Sequence, residues 1–300
     1  MAEVITYNGV DITGKVNASK VTHEMYAGGH PDTLSITFQD DEHLWSKWKP
    51  QIGDCVTYKN DGASTGNMYV FDLEVTDTVT KIYAYSLPPS LKVRYTKTWE
   101  SVYLSQILKE LSGEYEILGM DDVWYKYKLC NEKISGFINS TAELEAAVFI
   151  YYNDKAILIN EEALEAQGIV SELDCIGYRV TVKDHRAQLY DACIVQSGKY
   201  QGVCRVGSGE RLYKPNISIP CSSDAEANRF AKALLRMANK QMYDIRLQGQ
   251  IIPELSAGIC VNLINNDMPD HQGKMFVYRV RHEYHRNKTT AYMRMPLEGY

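Results

Sequence analysis

The amino-acid sequence predicts a β-dominated α+β fold: two related β-domains with a smaller α+β module inserted between them. Three observations predict it. Alternating apolar and polar runs fill the first and last parts of the chain. A block near the N-terminus recurs near the C-terminus with its landmarks in the same order. Between the two copies the pattern changes to short helical stripes with capping signals.

The first domain is expected over residues 1–90. Thr33-Leu-Ser-Ile-Thr-Phe alternates, with Leu34, Ile36 and Phe38 on one face. Cys55-Val-Thr-Tyr, Met68 to Val75 and Lys81 to Ser86 are rich in β-branched and aromatic residues, which suit a pleated, half-buried surface. Asp61-Gly62 marks a turn, and Pro88-Pro89 closes the region.

The module is expected over residues 91–172. Thr98 is placed to cap a helix whose stripe is Val102, Tyr103, Ile107, Leu108 and Leu111, with Gly113 as its C-terminal stop. Ser140-Thr-Ala-Glu143 has capping-box spacing ahead of a short helix, Leu144 to Phe149. Ala156 to Ile159 reads as a strand, and Glu161 to Gln167 as a short helix ended by Gly168.

The second domain is expected over residues 173–300. Strands are read at Tyr178–Val182, Asp191–Val195 and Tyr200–Val206. Ser223-Asp-Ala-Glu226 is a second capping box. It opens a long helix, about 223–241, with Ala227, Phe230, Ala231, Leu234, Leu235 and Ala238 on one stripe. Strands follow at Ile245–Ile252, Ile259–Ile264, Lys274–Tyr284 and Thr289–Met295.

The repeat itself is specific in its spacing. Gly53-Asp-Cys-Val-Thr-Tyr is followed by Gly66-Asn-Met-Tyr-Val-Phe, and Gly258-Ile-Cys-Val-Asn-Leu by Gly273-Lys-Met-Phe-Val-Tyr. Each copy ends in a further strand, Ile82-Tyr-Ala-Tyr or Ala291-Tyr-Met-Arg-Met. Two similar barrels per chain have a geometric consequence: a ring of three chains presents six similar units.

Composition bounds the function. The chain has 300 residues, 45% of them hydrophobic, enough for more than one core. No run approaches the roughly 20 apolar residues of a membrane helix. The N-terminus lacks the basic start and long apolar stretch of a secretory signal. Cys55, Cys130, Cys175, Cys193, Cys204, Cys221 and Cys260 include no C-x-x-C pair, which argues against a zinc cluster or a disulfide scaffold. Residues 1–198 carry 17 basic and 29 acidic side chains (−12), residues 199–300 carry 15 and 9 (+6), and the sum is the net −6. Scattered basic residues in an acidic protein argue against specific nucleic-acid binding. Opposite charge on the two parts suits a head-to-tail contact between copies. An acidic wall would also keep a polyanion from sticking inside a conduit.

No P-loop, nucleophile elbow, H-E-x-x-H or dinucleotide fingerprint is present. Val206-Gly-Ser-Gly-Glu reads as a hairpin turn. His282 and His285 stand three apart on a strand, so they face opposite ways unless a turn intervenes. The expected catalytic, cofactor and metal residues are therefore none. The candidate partner contacts are loop residues at the rims of the two barrels: Asn265, Asn266, Asp267, Asp270 and His271 in one loop, Asp61 and Ser64 in its counterpart.

Several segments together resemble the phage late-control D family, which groups baseplate hub proteins of contractile tails with the hub part of type VI secretion spikes. They are Ser223-Asp-Ala-Glu-Ala and its Ala-rich helix, Tyr243-Asp-Ile-Arg-Leu-Gln-Gly, Pro253-Glu-Leu-Ser-Ala-Gly258-Ile-Cys-Val, Tyr278-Arg-Val-Arg-His282 and Thr289-Thr-Ala-Tyr-Met. Asp11-Ile-Thr and Trp48 ahead of Gly53-Asp54 fit as well. The resemblance implies two tube-like β-barrel domains around a small inserted domain, and a structural homotrimer rather than an enzyme. Its implied partners are the tail tube protein, the central spike protein, the tape-measure protein and the baseplate wedge. It implies synthesis in the bacterial cytoplasm and residence in a virion or tail-like particle, phage or bacteriocin. The chain stops at Tyr300 without a β-helical extension, so the spike is expected to be a separate chain. Two other readings stay open: a tail-associated cell-wall hydrolase, and a carbohydrate-binding β-protein that stacks sugars on some of its 22 tyrosines.

Overall fold

The computed structural model describes residues 3–41, 43, 49–60, 63–215 and 219–300. Trp48 and the Asp61-Gly62 turn lie outside the described residues. The fold is α+β and β-dominated, as expected.

The first part of the chain supplies β1 (Glu3–Tyr7), β2 (Val10–Asp11), β3 (Asn17–Tyr26), β4 (Thr33–Gln39), β5 (Cys55–Asn60), β6 (Ala63–Ser64), β7 (Met68–Val75) and β8 (Val79–Tyr85). Their spatial order is β3-β4-β8-β7-β5-β1, with every pairing antiparallel. Alternation buries Leu34, Ile36 and Phe38 against Val56, Tyr58, Met68, Val70 and Ile82.

The middle of the chain forms β9 (Arg94–Tyr103), α1 (Leu104–Ser112), β10 (Tyr115–Leu118), β11 (Trp124–Lys133), α2 (Ile134–Leu144), β12 (Ala147–Tyr152), β13 (Lys155–Asn160) and α3 (Glu161–Ala166). A two-stranded β9–β11 ribbon and a three-stranded β10-β13-β12 sheet enclose a separate core around Leu108, Tyr125, Phe137 and Leu158.

Two helix starts differ from expectation. Thr98 lies within β9, opposite Leu129, and the helix begins at Leu104. The long ribbon wins because Trp99, Val102, Tyr125 and Cys130 bury one of its faces. Gly113 does cap α1. Ser140–Glu143 form the last turns of α2 rather than a start, since Phe137, Ile138, Thr141 and Ala142 make its buried stripe. Ala147–Tyr152 is a strand fully paired with β13, not a helix.

The last part supplies β14 (Ile169–Asp174), β15 (Arg179–Asp184), β16 (Ala192–Ser197), β17 (Tyr200–Arg205), β18 (Leu212–Tyr213), α4 (Asp224–Asn239), β19 (Tyr243–Gln250), β20 (Ile259–Ile264), β21 (Gly273–Glu283) and β22 (Lys288–Arg294). Ser223 caps α4, its side chain accepting from the Glu226 N–H. Residues 206–211 are not a hairpin turn. They wrap the Asp191 carboxylate, which accepts from the Arg211 N–H, and lead into β18, which pairs parallel to β16. Gly209 is required there, because a Cβ would lie 2.4 Å from that carboxylate.

The second sheet order is β15-β19-β22-β21-β20-β14, strand for strand the order of the first part. The registers agree as well. Cys55 faces Tyr69 and Val56 faces Met68; Cys260 faces Phe276 and Val261 faces Met275. A bulge interrupts β7·β8 between Val70 and Asp72, and another interrupts β21·β22 between Val277 and Arg279. Both bulges therefore fall three residues after the landmark methionine, on Phe71 and Tyr278.

The two sheets are joined edge to edge. β21 pairs antiparallel with β3, so among the described residues a single 14-stranded sheet joins the first and last parts of the chain. Tyr284 packs on the first core and Met25 on the second, so each part lends a side chain to the other.

Candidate assembly surfaces

The β3·β21 joint brings together residues far apart in sequence. Arg279 faces Tyr26, Arg281 faces Glu24, and His282 faces His23. Arg279 reaches diagonally to Glu24, with Nη2 2.5 Å from Oε1, and lies over the Tyr26 and Tyr292 rings. Both histidines are buried. His282 is held through Thr289 Oγ1 and the Leu255 carbonyl, each at 2.9 Å. Burial, and then the neighbouring His282, lower the His23 pKa from 6.5 to about 3; burial lowers that of His282 too. His285 lies on an exposed 3-10 turn, away from His282. Among the described residues no cluster of His, Cys, Asp or Glu is placed to hold a metal.

A second buried charge cluster ties α3, α4 and β22 together. Arg236 is 1% exposed and reaches Glu165 at 3.1 Å. Arg294 bridges Glu161 and Glu165, and Lys240 approaches Glu161 at 3.2 Å. Burial pushes the Glu161 carboxyl up, but Lys240, Arg294 and Arg236 together hold it below the usual range.

The rim loops stand at equivalent places, between β5 and β7 and between β20 and β21. Asn266, Asp267, Asp270 and Ser64 are exposed. Asn265 is 1% exposed, and its side-chain oxygen accepts from the Met268 N–H, so it shapes the loop from inside. His271 is half-buried against the Tyr243 hydroxyl at 3.0 Å. Asp61 lies outside the described residues. The first rim docks on the middle module: Asn67 and Tyr69 donate to Asp154 at the β12–β13 turn. Gly66 permits that approach, since a Cβ would meet the Tyr152 ring at 2.6 Å.

Two strand edges, absent from the sequence reading, are open. β7 pairs with β5 only through Met68 and Tyr69, leaving that edge of Asp72–Val75 unpaired among the described residues. β15 ends the sheet. Asp72, Glu74, Val75 and Lys183 are exposed. A separate exposed apolar face lies on the β9–β11 ribbon, where Tyr103 faces Trp124, with Tyr127 and Leu129 beyond. No helix among the described residues is long and apolar enough to cross a membrane.

No family model matches the sequence, and no curated protein matches it. The fold is nonetheless similar to solved tail proteins. It matches the tail protein from Neisseria meningitidis MC58 with TM-score 0.73, over 97% of this chain and 95% of that one, at 11% identity. It matches the 43 kDa tail protein of prophage MuSo2 from Shewanella oneidensis with TM-score 0.68, over 98% and 96%, at 11% identity. The E. coli c3393 protein, a type VI secretion component described as structurally similar to bacteriophage T4 tail proteins, matches with TM-score 0.64, over 99% and 78%, at 10% identity. At such identities the likeness shows a shared fold.

Proposed function

We propose that the chain is a structural baseplate-hub subunit of a contractile tail or injection particle. In this reading it is not an enzyme. Three copies form a ring that adapts a three-fold central spike to a six-fold tail tube. The tube protein and spike are its direct neighbours, with the tape-measure protein and baseplate wedge beyond. The chain is organised as 1–90, 91–172 and 173–300, the outer two segments forming the ring.

The observation that carries this reading is the duplicated sheet. One strand order, one register and one bulge position occur twice in a single chain. Three such chains offer six near-equivalent units, which is what a six-fold partner requires of a three-fold object. The likeness in fold to tail proteins and to a type VI secretion component supports the same conclusion.

The test is solution mass with negative-stain imaging, alone and with co-expressed spike. Three chains of 34.1 kDa give about 102 kDa in a ring with near-six-fold outline. A 34.1 kDa particle under both conditions would sink the reading.

The exposed Tyr103, Trp124 and Tyr127 favour a second reading, a carbohydrate-binding role for the ribbon. Retention on a cell-wall glycan column that Trp124→Ala abolishes would support it.

A further inference from the structure

The joint inside the chain is a strand pairing, and the duplication supplies a second copy of both partners. By the shared registers, Asp72, Leu73, Glu74 and Val75 on β7 stand where Arg279, Val280, Arg281 and His282 stand on β21. Likewise Thr181, Val182 and Lys183 on β15 stand where Thr22, His23 and Glu24 stand on β3. In β21 and β3 these residues are paired with each other. In β7 and β15 the corresponding edges are open among the described residues, and the two strands lie seven steps apart along the sheet.

We propose that β7 of one chain pairs antiparallel with β15 of the next, in the register that β21 and β3 use within the chain. Glu74 then lies opposite Lys183, and Val75 opposite Val182. Asp72 reaches Lys183 on the diagonal, as Arg279 reaches Glu24. The pairing covers Val75, which is 57% exposed in the single chain.

Charge supports this choice of partner. Within the chain the base is on β21 and the acid on β3. At the seam between chains the acid is on β7 and the base on β15. The signs are exchanged, so both joints attract. The two wrong pairings repel: β7 against β3 sets Glu74 beside Glu24, and β21 against β15 sets Arg281 beside Lys183. The exchange therefore admits only an alternating, head-to-tail order. Glu74 already touches Lys81 of its own chain at 3.2 Å, just as Arg281 touches Glu283 at 3.6 Å, so the added partner extends an existing pair in both joints.

The number of chains in the ring rests on the function proposed above; the strand pairing does not. Val75→Cys and Val182→Cys test it, oxidised and run without reductant beside the solution mass. The double variant is expected to give covalent species up to three chains. A mixture of the two single variants is expected to give only dimers, and each single variant alone none, which also controls for the native thiols. A ring by mass without cross-links overturns the seam and leaves the ring. Cross-linked chains that never close at three overturn the ring and leave the seam. Neither cross-link nor ring overturns both. In parallel, Glu74→Lys and Lys183→Glu are each expected to weaken assembly about tenfold per seam, and the double exchange to restore most of it. A double variant as weak as the singles would refute the charge selection.

Discussion

The two halves of the large sheet share order, register and bulge, yet two of their connections differ. In the first, β3 turns directly into β4; in the second, the equivalent strands β15 and β19 are separated by β16, β17, β18 and α4. β1 runs antiparallel to β5, whereas β14, arriving from α3, runs parallel to its equivalent, β20. The buried side chains explain which features could vary. Met68, Val70 and Val56 occupy the first core as Met275, Val277 and Val261 occupy the second. A one-residue slip would turn each set outward, so the core fixes register. A connection between strands meets no such constraint.

Five substitutions can break or sharpen this comparison. The largest effect is expected where the halves differ most. The ion cluster around Arg236 belongs to the second half and the module alone, and Arg236→Ala leaves the buried Glu161 and Glu165 to share Arg294 as their one buried cation. The expected loss is about 3 kcal/mol in chemical denaturation, because two buried carboxylates are then under-compensated by a single buried cation. An effect below about 1 kcal/mol would mean that water solvates the cluster.

Met68→Ala and Met275→Ala should cost similar amounts, about 3 kcal/mol each, since both residues are fully buried at matching positions. A large inequality would show that the matching positions are not equivalent in packing.

His23 faces His282 at the inner joint, while its counterpart Val182 cannot titrate. The folded-state pKa of His23 is depressed to about 3, so the unfolded chain binds the proton first. Stability is then present above pH 6.5 and lost as pH falls from 6.5 towards 3, by about 2 kcal/mol at pH 5. His23→Val, which imports the counterpart, should flatten part of that slope in melts across pH; His282, lowered in the same direction, supplies the remainder. An unchanged slope would exclude His23 as its source.

The smallest effect belongs to the helix found only in the second half. Ser223→Ala removes the cap on the Glu226 N–H and should cost about 1 kcal/mol, read as a lowered Tm.

Much of this was legible in the sequence because it is local. The alternation of Thr33–Phe38, the Gly-x-Cys-Val and Gly-x-Met landmarks and the Ser223 box all act through near neighbours. Thr98 and Ser140 misled for a physical reason: a Ser or Thr ahead of an apolar run is a capping signal only where the backbone is free to start a helix. Long-range pairing of β9 with β11 decided the first case, and the buried stripe of α2 the second. The joint was not legible, because Arg279 and Glu24 are 255 residues apart. The open edges followed from the same pairing and were equally hidden. Asn265 read as a loop-tip polar residue, and only the fold shows that its side chain turns inward to hold Met268.

The bulge at Tyr278 acts as punctuation within a strand. Residues 273–277 are read by β20, and residues 279–283 by β3. The extra residue shifts the phase at the boundary, so Met275, Val277 and Val280 share one core while the arginines on either side of Val280 stay partly accessible. Threading Tyr278 as a regular strand residue, with no bulge, would act like a frameshift confined to five residues. The sentence before it would still make sense, and the one after it would turn Arg279 and Arg281 toward the apolar side.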